Sequence, residues 1–323
     1  MERVSTKATG PDYLTKVGRW SDASVRKINV PFAGTEKVMG IDWDSDEYRV
    51  DQNDERWIIP DNFDIGGHEW YQNLPREEKI RIGLYRYAQV ARVGSEFENA
   101  LSIGVNYAGM ATRSDDEITR YAFHEAEEEH RHVLMFRQFV TQTGVEPMGA
   151  PDWFRSVAWL TAPVARKAKA AFWWLVLSGE EPIDKMQRDL IKMNKTDADT
   201  VHPLMERVMK VHVEEEARHI NFADSSLKEM IDSLGPVERQ AMAVAAPVAS
   251  LIAAKVIVKP SRASLKEMGV PQKVANELWT NEYMAPLLAN ARERADALGL
   301  RDGERKSLLG KAAWRLLRID EGK

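Results

Sequence analysis

The chain has 323 residues, 44% of them hydrophobic, enough to bury a sizeable core as one large domain or two small ones. Its 45 basic and 50 acidic side chains leave a formal charge of −5, which gives no electrostatic reason to expect a nucleic acid or an anionic membrane as partner. Cysteine is absent, so disulfides, thiolate metal sites and cysteine nucleophiles are excluded; a transition metal would be held by histidine and carboxylate, donors that suit iron and manganese.

Lys7 and Asp12 interrupt the apolar run that a signal peptide needs, and a cytoplasmic location is expected. Residues 1–75 read as an irregular arm. Residues 12–27 have helical character, while Pro31, Gly34, Gly40 and the run 60–67 break the remainder into loops and short strands. With so little periodic apolar character the arm is expected to wrap the later helices, residues 76–323, as part of one structural domain.

From Arg76 the pattern turns helical. Leu84, Ala88, Ala91, Gly94, Leu101, Val105 and Ala108 recur at three- and four-residue steps, and Glu98 falls on that stripe. Glu96 shares a more polar side with Arg92, Asn99 and Ile103, so Glu98 is the inward carboxylate of the first helix.

A turn at residues 112–115 follows, and Ser114-Asp115-Asp116-Glu117 reads as a capping-box start for the second helix. Its stripe is Ile118, Ala122, Glu125, Ala126, Glu129, His132, Val133, Phe136 and Val140. Two overlapping Glu-x-x-His frames compete here. Glu127 lies with Arg120, His124, Arg131 and Gln138 on the solvated side, which selects Glu129 and His132 over Glu127 and His130.

Residues 144–151 end that helix, residues 152–160 suggest a short one, and a third long helix is expected over 164–193. Phe172, Trp173, Val176, Leu177, Glu180 and Ile183 share its inner face, whereas Glu181 lies with Trp174, Ser178, Lys185 and Arg188; Pro182 should kink it just past Glu180. After a loop over 194–202, Pro203 opens a fourth helix whose stripe is Leu204, Val208, Met209, His212, Glu216, His219, Ala223 and Leu227. The most apolar stretch, residues 241–254, is Ala-rich, contains Pro247, and is too short to span a bilayer; it reads as a buried core helix, and no membrane partner is expected.

The second and fourth helices echo one another through Glu129-His130-Arg131-His132 and Glu216-Ala217-Arg218-His219. A carboxylate and an imidazole three residues apart lie about one turn apart on one helix face. One such pair is most often a solvated surface pair. Two of them, each inside an apolar stripe, are the inward ligands of a di-iron or di-manganese carboxylate bundle. Glu98 and Glu129 lie about 13 and 14 residues from the turn between them, and Glu180 and Glu216 lie similarly placed about theirs. Antiparallel partners therefore meet at one level. Four glutamates and three histidines on apolar stripes are costly to bury, and a dinuclear cation compensates for the lost hydration. Within the acidic clusters 125–129 and 214–216, a single member of each is expected to point inward, the others being hydrated. His212 is either a ligand or a hydrogen-bond donor to one.

Glu98, Glu129-x-x-His132, Glu180-x-x-Ile183 and His212-x-x-x-Glu216-x-x-His219 resemble the p-aminobenzoate N-oxygenase (AurF-like) family of non-haem di-iron oxygenases over about residues 60–260, most specifically at His212. The resemblance implies an all-α, ferritin-like four-helix bundle with flanking helices, and two iron ions per chain held by those seven residues, manganese being the substitute. It further implies O2 activation and oxidation of a small-molecule amine, often an arylamine, towards hydroxylamine or nitro. No flavin or nicotinamide fingerprint is present, so electrons come from an external donor. Leu101, Val105, Trp173, Val176 and Val208 are expected to line a dry substrate chamber, and apolar outer faces suggest a homodimer. Two other functions compete: a di-iron hydroxylase or desaturase acting on C–H bonds, and a non-catalytic ferritin-like iron binder. The long arm and residues 236–323 exceed what a bare storage bundle needs.

Overall fold

The computed structural model describes residues 15–20, 40–110, 116–197, 199–302 and 307–320. Five long helices dominate: α1 (Arg76–Met110), α2 (Glu117–Thr143), α3 (Lys169–Thr196), α4 (Pro203–Asp232) and α5 (Pro236–Val258). Short connections pair α1 with α2 and α3 with α4 as hairpins. Contacts of α2 with α4 join the hairpins into a four-helix bundle, and α5 lies across α3 and α1.

Local chemistry sets most of the boundaries. Glu77 and Glu78 occupy the first turn of α1, where the helix dipole favours negative charge. Asp116 caps α2 by accepting from the Ile118 N–H at 2.9 Å, and Gly144 ends it in the left-handed region at φ 66°. The cap is thus Asp116 rather than the expected Ser114, which lies outside the described residues. Pro203 opens α4 behind His202, whose Nδ1 accepts from the Leu204 N–H at 3.2 Å.

The arm differs from expectation. Among the described residues there is no strand; residues 40–75 form turns, two of them 3₁₀ (Asp46–Tyr48 and Glu55–Trp57), and a short helix, Glu69–Gln72. Closely spaced aspartates satisfy nearby backbone donors, as Asp54 does for the Arg56 N–H at 2.8 Å, and this competes with strand pairing. Of the helix expected over 12–27, residues 15–20 are helical and the others lie outside the described residues.

Ile41, Trp43, Trp57, Ile59, Ile65 and Tyr71 of the arm enter the same buried core as the helices. Burying side chains of this size contributes about 1.5–3 kcal/mol each. Trp57 stacks on His202 at 4.3 Å, and its carbonyl sits so close to α1 that a Cβ on Gly83 would lie 1.8 Å from the oxygen. Gly83 is therefore required by the contact. Asp64 accepts from Arg86 Nε of α1 at 2.7 Å and from Trp279 Nε1 at 2.9 Å, tying arm, bundle and C-terminal region through one carboxylate.

The third helix is not continuous over 164–193. Thr161–Lys167 and α3 are separated at Ala168, whose φ and ψ are −133° and 58°. No helix breaker stands there; Thr161–Lys167 packs on α1, whereas α3 packs chiefly on α4 and α5, so the change of direction is imposed by packing. The apolar stretch around residues 241–254 belongs to a longer helix than expected. By length and composition it could cross a membrane, yet 61% of its most apolar window is buried in the protein, as for a core helix. Trp174 of α3 donates Nε1–H to Ala246 O and Ser250 Oγ, both at 3.0 Å, which anchors α5 to the bundle.

Candidate metal centre

Glu98 comes from α1, Glu129 and His132 from α2, Glu180 from α3, and His212, Glu216 and His219 from α4; none is more than 1% exposed. The competing Glu96 is half-buried, paired with Arg92 at 3.2 Å, and accepts from the Ala150 N–H. Glu127 pairs with Arg131 at 2.6 Å at the surface side of α2.

Ligand-type atoms converge in three overlapping sets, each within 4.8 Å: Glu98, His132, His212 and Glu216; Glu129, His132, Glu216 and His219; and Glu98, Glu129 and Glu180. His132 Nδ1 is 3.1 Å from Glu216 Oε1 and 3.3 Å from Glu129 Oε2. His219 Nδ1 is 2.9 Å from Glu129 Oε1 and 3.1 Å from Glu216 Oε1. His212 Nε2 is 3.0 Å from Glu98 Oε1 and 3.8 Å from Glu216 Oε1.

Three buried carboxylate oxygens, Glu98 Oε2 and both of Glu180, have no hydrogen-bond partner. Orphaned acceptors at a cluster of four carboxylates and three imidazoles fit a pair of hard-to-borderline cations, iron or manganese. The proton affinities agree. Burial and the neighbouring carboxylates push Glu98 and Glu180 well above the usual carboxylate range. Burial would lower His132 and His219, but the surrounding carboxylates raise both well above the ordinary imidazole value. Burial and Glu216 press Glu129 upward, yet His219 and His132 outweigh them and hold it at about 2. Burial takes His212 down to about 4. Protons thus balance part of the negative charge, a task a metal pair performs when bound.

Each imidazole is held from outside. His132 Nε2 donates to Glu215 Oε2 at 3.1 Å, His219 Nε2 to Glu128 Oε2 at 3.0 Å, and His212 Nδ1 to Gln187 Oε1 at 2.9 Å. This leaves Nδ1, Nδ1 and Nε2 respectively facing the centre. Arg218 steadies Glu128 with a further bond of 2.7 Å. The expectation of one inward member per acidic cluster is therefore corrected: Glu125, Glu128 and Glu215 are also buried. Sequence reasoning missed Glu128, Glu215 and Gln187. The available signal was the doubled acid, Glu128-Glu129 and Glu215-Glu216, because every ligating imidazole needs an acceptor for its second nitrogen.

Glu181, placed outside the bundle by its periodicity, is buried as well. Arg294 embraces it with both terminal nitrogens, one at 2.9 Å. Leu101, Val105, Trp173, Val176 and Val208 are all buried, and Leu101 lines a groove outside the bundle between α1, residues 152–164 and α5.

The chain matches the family described as P-aminobenzoate N-oxygenase AurF over residues 11–299. It is 36% identical over 319 residues to the uncharacterized protein MT0908 of Mycobacterium tuberculosis (strain CDC 1551 / Oshkosh), spanning 97% of this chain and 89% of that relative. The uncharacterized proteins Mb0909 of Mycobacterium bovis and Rv0885 of Mycobacterium tuberculosis (strain ATCC 25618 / H37Rv) are each 35% identical with the same coverage. No solved structure matches it.

Proposed function

The chain belongs to the p-aminobenzoate N-oxygenase (AurF) family, and from that premise we propose that it is a non-haem di-iron oxygenase that uses O2 to oxidise an amine, in the first place an arylamine, to hydroxylamine or nitro. The observation that carries this reading is the buried convergence of seven donors with three carboxylate oxygens left unpartnered. Glu98, Glu129, His132, Glu180, His212, Glu216 and His219 would hold two iron ions, with manganese fitting the same donors. Iron bound there supplies the reductive activation of O2.

The protein's own residues do the remaining work. Glu128, Glu215 and Gln187 fix the tautomer and tilt of the three imidazoles, so the donors are arranged before a metal arrives. Burial of every donor excludes water from the centre. Electrons enter from an external donor, and the working form is a homodimer in this reading.

The test is turnover of iron-loaded protein with a chemical reductant under O2, offering arylamines and, separately, acyl or alkyl substrates. N-oxygenated products identified by mass are expected. Hydroxylated or desaturated hydrocarbon without amine turnover would establish the C–H reading, whose substrates the apolar groove would also accommodate. Iron-core growth without organic oxidation would establish a storage protein.

A further inference from the structure

A groove of about 620 Å³ runs between α1, residues 152–164 and α5. That size suits one small molecule. Phe97 and Leu101 of α1, Phe154 and Val164 of the connection, and Val248 and Ile252 of α5 form its walls, with alanines between them. Among the described residues, no charged side chain lines it, and the Thr161 hydroxyl already donates to Ala158 O at 2.8 Å. Val248 and Ile252 remain 41% and 48% exposed, so the groove is open to an incoming molecule.

Its inner wall reaches Phe97, the residue before Glu98 in the chain, although none of the seven converging donors lines the groove itself. The ring stacks on Phe154 at 6.1 Å and lies against Gly179, where a Cβ would come within 1.7 Å of Cζ. Phe97 and Gly179 immediately precede Glu98 and Glu180, the two carboxylates among the seven donors that have unpartnered oxygens. The groove therefore ends against the backbone that presents those two donors. Arg155, next to the wall residue Phe154 in the chain, engages Glu96 at 3.4 Å, as Arg92 does at 3.2 Å.

We propose that this groove is the substrate site and that it takes a bulky, uncharged arylamine carrying no carboxylate. The reaction in this proposal rests on the di-iron oxygenase reading; the binding does not. An arylamine nitrogen shares its lone pair with the ring and stays unprotonated near neutral pH, so the whole molecule can leave water for an apolar wall. A carboxylate would lose its hydration with no cation to replace it.

The experiment titrates iron-loaded protein under argon with N-phenyl-1-naphthylamine, and in parallel with 8-anilino-1-naphthalenesulfonate, the same ring system bearing an anion. Fluorescence should report one naphthylamine per chain, bound at least tenfold more tightly than the sulfonate. Val248→Glu should weaken the naphthylamine at least tenfold with metal content unchanged, and Ile252→Gln should act in the same direction; if Val248→Glu does not fold, Ile252→Gln decides. Equal affinity for the sulfonate, or variants that leave naphthylamine binding unchanged, would overturn the proposal. So would a wild-type dimer in sedimentation that Val248→Glu makes monomeric, with the probe binding the monomer alone, because the groove would then be a face for a second copy. Binding needs neither O2 nor reductant, so a failure here is distinct from a failure of amine oxidation.

Discussion

His219 on α4 donates its Nε2 proton across the bundle to Glu128 on α2, at 3.0 Å. The relation is reciprocal: His132 on α2 donates to Glu215 on α4, at 3.1 Å. Each hairpin thus orients the other's imidazole, and the two Glu-x-x-His pairs depend on one another through acids one residue upstream of their own glutamates.

Glu128→Ala and Glu215→Ala should each retain the fold but weaken iron binding about 10–100-fold, measured by competition with a chelator. Elemental analysis of iron-loaded wild type should give two irons per chain, and Glu129→Ala should lose them. Glu127→Ala, at the surface side, should alter stability by no more than about 0.5 kcal/mol. Equal behaviour of the Glu127 and Glu129 variants would move the α2 face by two residues.

His212→Ala should keep two irons, since six donors remain, and lose most oxidation. His212→Gln separates ligation from hydrogen bonding, because an amide donates a proton but is a poor iron ligand. His212 Nε2 lies 3.0 Å from Glu98, and Gln187 holds the other ring nitrogen, contacts that suit either role. Near-wild-type turnover in His212→Gln would assign it to orienting Glu98 instead.

Glu125 supplies a pH dependence. Burial pushes it up to about 8, and neither of its oxygens has a hydrogen-bond partner. In the unfolded chain it titrates in the usual carboxylate range, so between those values the folded state binds a proton that the unfolded state has lost. Stability of the metal-free protein then falls as pH rises, by up to about 1.4 kcal/mol per pH unit, and levels off above about 8. Chemical denaturation at pH 6 and 8 should show this loss in the wild type and a smaller one in Glu125→Gln.

Removing Arg294 leaves Glu181 charged and buried. Arg294→Ala should cost about 3–5 kcal/mol in urea denaturation. The double replacement Arg294→Met with Glu181→Met should recover most of it, because the buried carboxylate is gone and Asp224, Arg294's other partner, is half exposed and solvated by water.

Periodicity separates a buried acid from a less buried competitor at two places, and at a third it picks the acid that joins the converging donors although both are buried. Glu98 is buried where Glu96 is half-buried, Glu129 where Glu127 is half-buried, and Glu180 lies with the converging donors. Helical spacing transmits that information because burial repeats with the turn. The same reading assigns each residue a single face, whereas the bundle interior is wider than one stripe, and Glu128 and Glu215 sit on its margin. Glu181 was illegible for another reason: its cover, Arg294, lies more than a hundred residues away, beyond any local pattern. The arm's turns follow from short-range aspartate bonds that hydrophobic spacing does not report.

The interruption at Ala168 has an evolutionary consequence. Thr161–Lys167 forms part of the groove wall, while Glu180 rides on the separate rod that begins at Lys169. An uninterrupted helix would couple every change of side-chain bulk in that wall to the position of a metal donor. With the rod divided, side-chain bulk can change within residues 152–167 without displacing α3, so under the proposed reading the groove's selectivity can drift while the candidate metal donors keep their places; Leu175, on α3 itself, stays coupled to them.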